Sequence, residues 1–356
     1  MVALLGGNIM KTPTRTLLSV ILMAGAASAL MSVASAQNDP AQRVDVVREA
    51  PAESGLSGVT LPREVVEAAS AYEAYLHGAG AIGASFHGPE TVGAALKASE
   101  AYQPQQMEEG MIAYAALIAL EDQRFVHSVR DSTSDDEIRS EEAEALLAHP
   151  DRVAAFPGSG NAAALISSVL REEGGALFQT GRAVKQSAYG VQREAWSKQT
   201  APNAAGRLAQ AKTLSSIAYT PAPGDVSDLL LSAAAFRGRP ASGELGGDQF
   251  TPVVQRGLAL AALAVLGRAG TEAQVSPLLS ERDGADCMKM AKLNLYQCLA
   301  VAGPHYEDIF CLGQHALMDT GQCVVSSAAP AASLMERSVV QTAQGGVDVP
   351  VNEASR

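Results

Sequence analysis

The sequence predicts an all-α fold: an irregular helical bundle closed by a disulfide-stapled C-terminal helical hairpin. Three observations carry this. Apolar residues recur at three- and four-residue steps along most of the chain. No stretch shows the strict alternation of a half-buried strand, and no internal repeat is present. All four cysteines fall between Cys287 and Cys323, arranged symmetrically about one Gly-Pro turn.

The first segment reads as an address. Lys11 and Arg15 precede an apolar run from Leu17 to Met31, and Ala34-Ser35-Ala36 follows. This is the pattern of a cleavable signal peptide over residues 1–36, cut after Ala36, with Met10 as a possible alternative start to Met1. The run is too short and too rich in small residues for a membrane span, and no later run reaches that length. The expected location is the periplasm or the extracellular space. Removing Lys11 and Arg15 moves the formal charge from −12 to −14 and leaves 320 residues, enough for a substantial core. Such an acid surplus disfavours nucleic acid and anionic membrane surfaces as partners.

Residues 37–60 carry Pro, Gly and charge without a period and read as a flexible leader. The helical domain spans 61–325. Pro62 suits a helix start, and Val65, Ala69, Tyr72 and Leu76 follow at helical spacing. A helix over 89–101 and another from Pro104, with Met107, Met111, Ala115 and Ile118 as its apolar set, come next. Residues 131–144 form an acidic connector. It lacks the glycine of a calcium loop and reads as a solvated helix start. Residues 161–199 form a long helix with a seven-residue pattern. Leu170, Leu177, Val184 and Val191 share one position; Gly174, Gly181, Ala188 and Ala195 share another. Small residues at every seventh place let another backbone approach, in the chain's own core or across a homodimer seam. Ser159 reads as the cap of this helix, Gly174-Gly175 as a weak point, and Trp196 as packing at its end. A helix over 207–217, a loop-rich region over 220–249 around a short helix near Leu229, and a very apolar helix over 253–266 complete the domain. Residues 326–356 read as a disordered tail.

The motifs that could carry chemistry have simpler structural readings. Gly78, Gly80 and Gly83 spell a dinucleotide fingerprint, and Glu100 lies near the distance of a ribose contact. The segment before them is helical rather than a strand, so the glycines read as a helix end and turn. Six histidines are scattered, none paired at the i, i+4 spacing of a metal helix. His77, His87 and Glu90 alone could converge around a turn, with Tyr72, Tyr75, Tyr102, Gln105 and Gln106 as half-buried neighbours. Met288, Met290 and Met318 read as core packing. No cofactor and no metal site is expected.

The cysteine segment, 283–323, reads as a hairpin turning at Gly303-Pro304, with Gly321 stopping its second helix. Cys287 and Cys298 on one arm would lie roughly 16 Å apart, and Cys311 and Cys323 about 18 Å. Bridged Cα atoms lie within about 7 Å. Sequential and crossed pairings therefore fail, leaving Cys298–Cys311 near the turn and Cys287–Cys323 at the open end. Zinc sites bring cysteines two to four residues apart, and thiol oxidoreductases use Cys-x-x-Cys; neither spacing occurs. The segment resembles the twin-cysteine hairpins of the coiled-coil-helix class, which pair outer with outer and inner with inner, although here ten and eleven residues separate the cysteines of each arm. Through "YEAYL", "ALKASEAYQPQQ", "VKQSAYGVQREAWSK" and "NLYQCLAVAGPHYEDIFCLGQHAL" the chain also resembles a group of secreted helical proteins of alphaproteobacteria. That resemblance implies export and no particular activity.

The functional expectation is a non-catalytic binding or structural role in the cell envelope, with an envelope protein or small ligand as partner. The runner-up is a cell-envelope hydrolase with a site near His77, His87 and Glu90.

Overall fold

The computed structural model describes residues 59–328 apart from Ser134 and Ser242. The expected signal peptide, nearly all of the expected leader and the expected tail beyond Ala328 lie outside the described residues. Thirteen α-helices form among those described, and no strand does; Thr200 and Pro304 make one isolated bridge. The all-α expectation holds.

The helices are α1 (Arg63–Gly80), α2 (Pro89–Glu100), α3 (Pro104–Leu120), α4 (Gln123–Ser132) and α5 (Asp136–Ala148). A 3-10 turn (Pro150–Ala155) leads into α6 (Ser159–Val191), followed by α7 (Ala204–Leu214), α8 (Pro223–Ala234), α9 (Pro252–Val265) and α10 (Glu272–Leu279). The stapled hairpin is α11 (Arg282–Val301) against α12 (His305–Cys311), a π-helical stretch (Leu312–Met318) and α13 (Asp319–Ala328).

The core is built around α3. Its apolar residues surround the axis, so it is buried on nearly all sides, with α1, α9 and α11 packed against it. Each large apolar side chain it buries, such as Ile112 or Leu117, stabilises the fold by about 1.5–3 kcal/mol. Gly110 removes the side chain that would overlap the Ala68 carbonyl of α1, and Gly257 of α9 sits against Ala115. Val59 is already buried, so the expected flexible leader ends before residue 60.

The long helix finds its partner inside the chain. Leu170, Leu177, Val184, Gly174, Gly181 and Ala188 are all buried, and α12, the π stretch and α13 run antiparallel along that face. A methyl group on Gly174 would lie 2.7 Å from the Gly321 carbonyl oxygen. One on Gly181 would lie 2.7 Å from the Met318 nitrogen and 2.8 Å from the Gly313 oxygen. The face expected as an alternative homodimer seam is thus filled by the chain's own C-terminal helix.

Several boundaries differ from the sequence reading. The long helix ends at Val191 rather than 199, and Ala195 is exposed. Beyond Val191 the chain leaves the axis to cover the hairpin turn, where Ala201, His305 and Tyr306 nitrogens bond the Gly303, Gln199 and Ser197 carbonyls. Ser159 is not a cap; its hydroxyl donates to Ala154 O, and Gly158, at φ 84°, makes the entry turn. Gly174-Gly175 does not break the helix, because its buried face is packed throughout. Gly321 does not stop the last helix either: it is the point of closest approach to α6, and the helix continues past the expected boundary at 325 to Ala328. The helix expected over 207–217 lies three residues earlier, and α10 with its internal Pro277 had no counterpart in the sequence reading. Met290 is exposed rather than core, and Tyr72, Tyr75 and Tyr102 are buried rather than half-buried. The acidic connector does start a helix, with Asp135 accepting from Glu137 N.

Both expected bridges form. Cys287–Cys323 and Cys298–Cys311 each have Cα atoms 5.7 Å apart.

The glycine seam makes a paired prediction for chemical denaturation. Gly181→Ala should destabilise the chain by about 1–3 kcal/mol through overpacking. Gly175→Ala, one helix face away with open space around it, should stabilise by about 0.5–1 kcal/mol. For the bridges, loop entropy predicts a loss of about 3 kcal/mol for Cys298→Ala with Cys311→Ala, and about 4 kcal/mol for Cys287→Ala with Cys323→Ala. Equilibrium unfolding of the two double variants checks that order.

Candidate functional site

The turn end of the hairpin carries the most site-like arrangement among the described residues. α6 ends there, α11 ends there and α12 begins there. Between them lies a groove of about 430 Å³, floored by the Cys298–Cys311 bridge. Tyr189, Tyr306 and Phe310 supply aromatic walls, Val301 an aliphatic rim, and Gln192 and Glu307 the polar groups. Tyr189 and Val301 are 51% and 83% exposed, high for large apolar side chains. The Tyr189 ring meets Phe310 edge-on at 6.5 Å, and the Lys185 ammonium lies 5.1 Å from the Phe310 centroid. Glu307 accepts from the Gly303 nitrogen, which fixes the turn.

Behind the groove wall lies a buried ionic network. Arg207 of α7 pairs with Asp308 of α12 and donates to the Ala302 carbonyl oxygen at 3.1 Å. The second Asp308 oxygen and Arg207 Nε have no hydrogen-bond partner. Burial pushes the Asp308 carboxyl up to about 7, against the attraction of Arg207. His305 Nδ1 lies 3.8 Å from Asp308, and its ring lies against Trp196. Burial and the Arg207 charge hold His305 below its ordinary range, with Glu90 pulling the other way.

The network continues to the end of α2. The Glu100 carbonyl oxygen accepts from the Lys292 ammonium at 2.7 Å and from the Ser215 hydroxyl at 3.3 Å. Lys292 also sits 3.5 Å over the face of Tyr102, whose hydroxyl bonds Thr320. Burial lowers Lys292 to about 7, against Glu100; burial raises the Glu100 carboxyl to about 7, against Lys292. A buried ammonium thus sits at a helix C-terminus, where the Glu100 carbonyl also accepts from the Tyr102 nitrogen at 2.8 Å and the dipole favours a cation. Elsewhere in the core, Glu173 of α6 accepts from Tyr114 at 2.8 Å and Tyr72 at 3.2 Å, and burial raises it to about 7 as well.

The residues singled out from sequence are only partly brought together. His77 stands exposed on the last turn of α1, His87 exposed before α2, and Glu90 exposed in the first turn of α2. Glu90 acts electrostatically on His305, which the sequence reading had not joined to it. Among the described residues no group of three or more His, Cys, Asp or Glu side chains is placed to hold a metal ion. Gly78 and Gly80 end α1 in open space, as a helix terminus rather than a phosphate loop. Gln105 bonds Glu109, and Gln106 holds the Tyr219 backbone. His315 donates through Nδ1 to Asp319 Oδ2 at 2.8 Å. Burial raises Asp319, but the bonds from His315, Gln314 and Asn294 outweigh it and hold its carboxyl below the ordinary range. Glu100, noted from sequence only for a ribose contact, instead joins Lys292, Arg207 and Asp308, which went unmarked because only the fold joins residues so distant in sequence. The one local hint was a Lys on the apolar side of α11, between Met288 and Leu295.

The raised acids fix the sign of a pH effect. Between the ordinary pKa of Glu100 and about 7, the folded state binds more protons than the unfolded state. Stability is therefore greatest on the acid side and falls as pH rises through that window. Lys292 acts in the opposite sense, its cost easing from about 7 toward its ordinary value. Glu100→Gln should flatten the decline by up to about 1.4 kcal/mol per pH unit, read from urea unfolding across the window. Comparison with protein-family models, with curated proteins and with solved structures finds no match for this chain, so the chemistry of these residues carries the functional reading.

Proposed function

We propose that the chain is an exported helical protein that acts in the cell envelope or outside the cell by binding rather than catalysis. The groove over the inner bridge is its docking face. The observation that carries this reading is the exposure of Tyr189 and Val301 around a concave floor that a disulfide holds in place. Exposed large apolar side chains cost free energy unless a partner covers them, and a cross-linked floor lowers the ordering cost of binding. Aromatic walls with only Gln192 and Glu307 as polar groups suit a ligand with a flat apolar surface. Export is supported by the pairing of all four cysteines, since disulfides persist in oxidising compartments.

Expression of the full chain in a bacterial host, with N-terminal sequencing of the product, should give Gln37 as the first residue. The purified product should bind the apolar dye anilinonaphthalene sulfonate, and Val301→Asp with Tyr189→Ala should weaken that binding about fivefold or more. Hydrolysis of peptidoglycan or of an ester panel without added metal would overturn the reading, as would dye binding indifferent to both substitutions.

A further inference from the structure

The opposite, open end of the hairpin holds a second concavity of about 390 Å³, over the Cys287–Cys323 bridge. It lies where α9 and α11 begin and α13 ends. Asp248, Glu281 and Asp283 line it with the hydroxyls of Ser326 and Ser327, and no Lys or Arg does. The N-terminus of α11 would ordinarily favour an anion. Here its Asp283 and Gly284 nitrogens already donate to the Glu281 carboxylate, at 2.9 and 2.7 Å. What remains toward the concavity is an excess of acceptors.

Glu108 of α3 lies directly beneath this turn. It is fully buried, and neither carboxylate oxygen has a well-formed hydrogen bond; the Glu281 backbone N–H is the one donor that acts on it. A buried acid so sparsely partnered is costly and rare. Its surroundings converge on one point: a Cβ on Gly284 would sit 3.3 Å from Glu108 Cγ, 3.3 Å from Glu281 Oε2 and 3.6 Å from Ser327 Oγ. The absent side chain at 284 leaves a cradle rimmed by two acids and a hydroxyl. Burial is the largest effect on Glu108 and disfavours its ionisation, as do the Glu281 and Glu109 carboxylates; the Glu281 backbone N–H and Arg256 favour it.

We propose that this concavity binds a small organic cation through a primary ammonium group. The ammonium donates its protons to Glu281, Asp283 and Ser327, and Glu108 supplies a counter-charge from below. An ammonium suits the site better than a metal ion, because no three acids among the described residues are placed to ligate one ion. The volume exceeds that of a single ion, and Phe250 and Val253 offer an apolar wall for an alkyl chain. An ammonium seated there favours ionised Glu108, so binding releases a proton.

Isothermal titration of the mature chain with 1,4-diaminobutane, near neutral pH and low salt, tests this. Saturable binding is expected, with heats that differ between buffers of different ionisation enthalpy as the proton is released. Glu281→Gln and Gly284→Ala should each weaken binding about tenfold or more. Glu108→Gln should weaken it and abolish the buffer dependence. Glu144→Gln, an exposed acid of α5 that lines neither concavity, should change nothing. Should Glu108→Gln fail to fold, Asp283→Asn, an exposed acid, carries the same expected weakening. No heat up to about 10 mM diamine, equal affinity in all variants, or calcium binding that the amine does not displace would each overturn the proposal.

Discussion

Gly174 and Gly181 on α6, with Gly313 and Gly321 on the C-terminal helix, bring two helix backbones closer than any side chain would allow. The position of the hairpin, and so of both concavities, depends on this seam. The two sets of glycines do not have the same spacing: seven residues separate the first pair and eight the second. Two α-turns span about seven residues. The π stretch between Gly313 and Gly321 resolves the mismatch, because an i→i+5 turn uses one residue more than an i→i+4 turn. Both C-terminal glycines then face α6. The widened turn also sets Gln314 where it accepts from Lys185 and donates to Asp319, and His315 where it meets Asp319. These bonds tie the π stretch to α6 and to α13, giving the irregular turn partners of its own.

The buried ionisable groups obey a second constraint. Charge in an apolar interior is costly unless partnered. Two interior cations lie where helix ends supply carbonyl acceptors. Lys292 closes the end of α2 and Arg207 the end of α11, through the Glu100 and Ala302 carbonyl oxygens. Both cations come from elements distant in sequence from the carbonyls they serve. The polar core therefore acts as tertiary capping, and locks α2, α7, α11 and α12 in one arrangement. A pair such as Arg207 and Asp308 adds little net stability over an apolar substitute, but losing one partner leaves the other stranded.

Local, periodic features of the fold were legible in the sequence. The heptad of small residues on α6 announced a close backbone approach, and the symmetric cysteines announced the hairpin and its pairing. What the sequence left open is physical in origin. The period of α6 cannot say where the helix yields to a competing surface, and it ends at Val191 because the following residues bond the hairpin turn instead. Gly321 carries the signature of a helix stop, yet the α6 backbone makes it a contact. A π turn has no composition of its own; it is visible only as the mismatch between glycine spacings on two helices. Among candidate site residues, the exposed His77 and His87 were conspicuous because histidines are few. Lys292, Asp308 and Glu108 were not, because acids and lysines on helices are ordinarily solvated. Their burial follows from the neighbours that tertiary packing brings.

The two bridges then take on a role beyond chain entropy. Each closes one end of the hairpin, and each lies in a concavity. A short two-helix hairpin frays first at its ends, where packing is one-sided. Both ends border a concave surface. A cross-link at each end holds the two arms at fixed separation, 5.7 Å between Cα atoms in both cases. The chemistry of the two ends differs because the termini differ. At the turn, α11 finishes and α12 begins within four residues, so the backbone is largely self-satisfied and aromatic side chains line the opening. At the open end two helix N-termini are capped by their own side chains, Thr251 and Glu281, and carboxylates remain in excess. One staple thus floors an apolar groove and the other an acidic cradle, and the seam of four glycines holds the arm between them against α6.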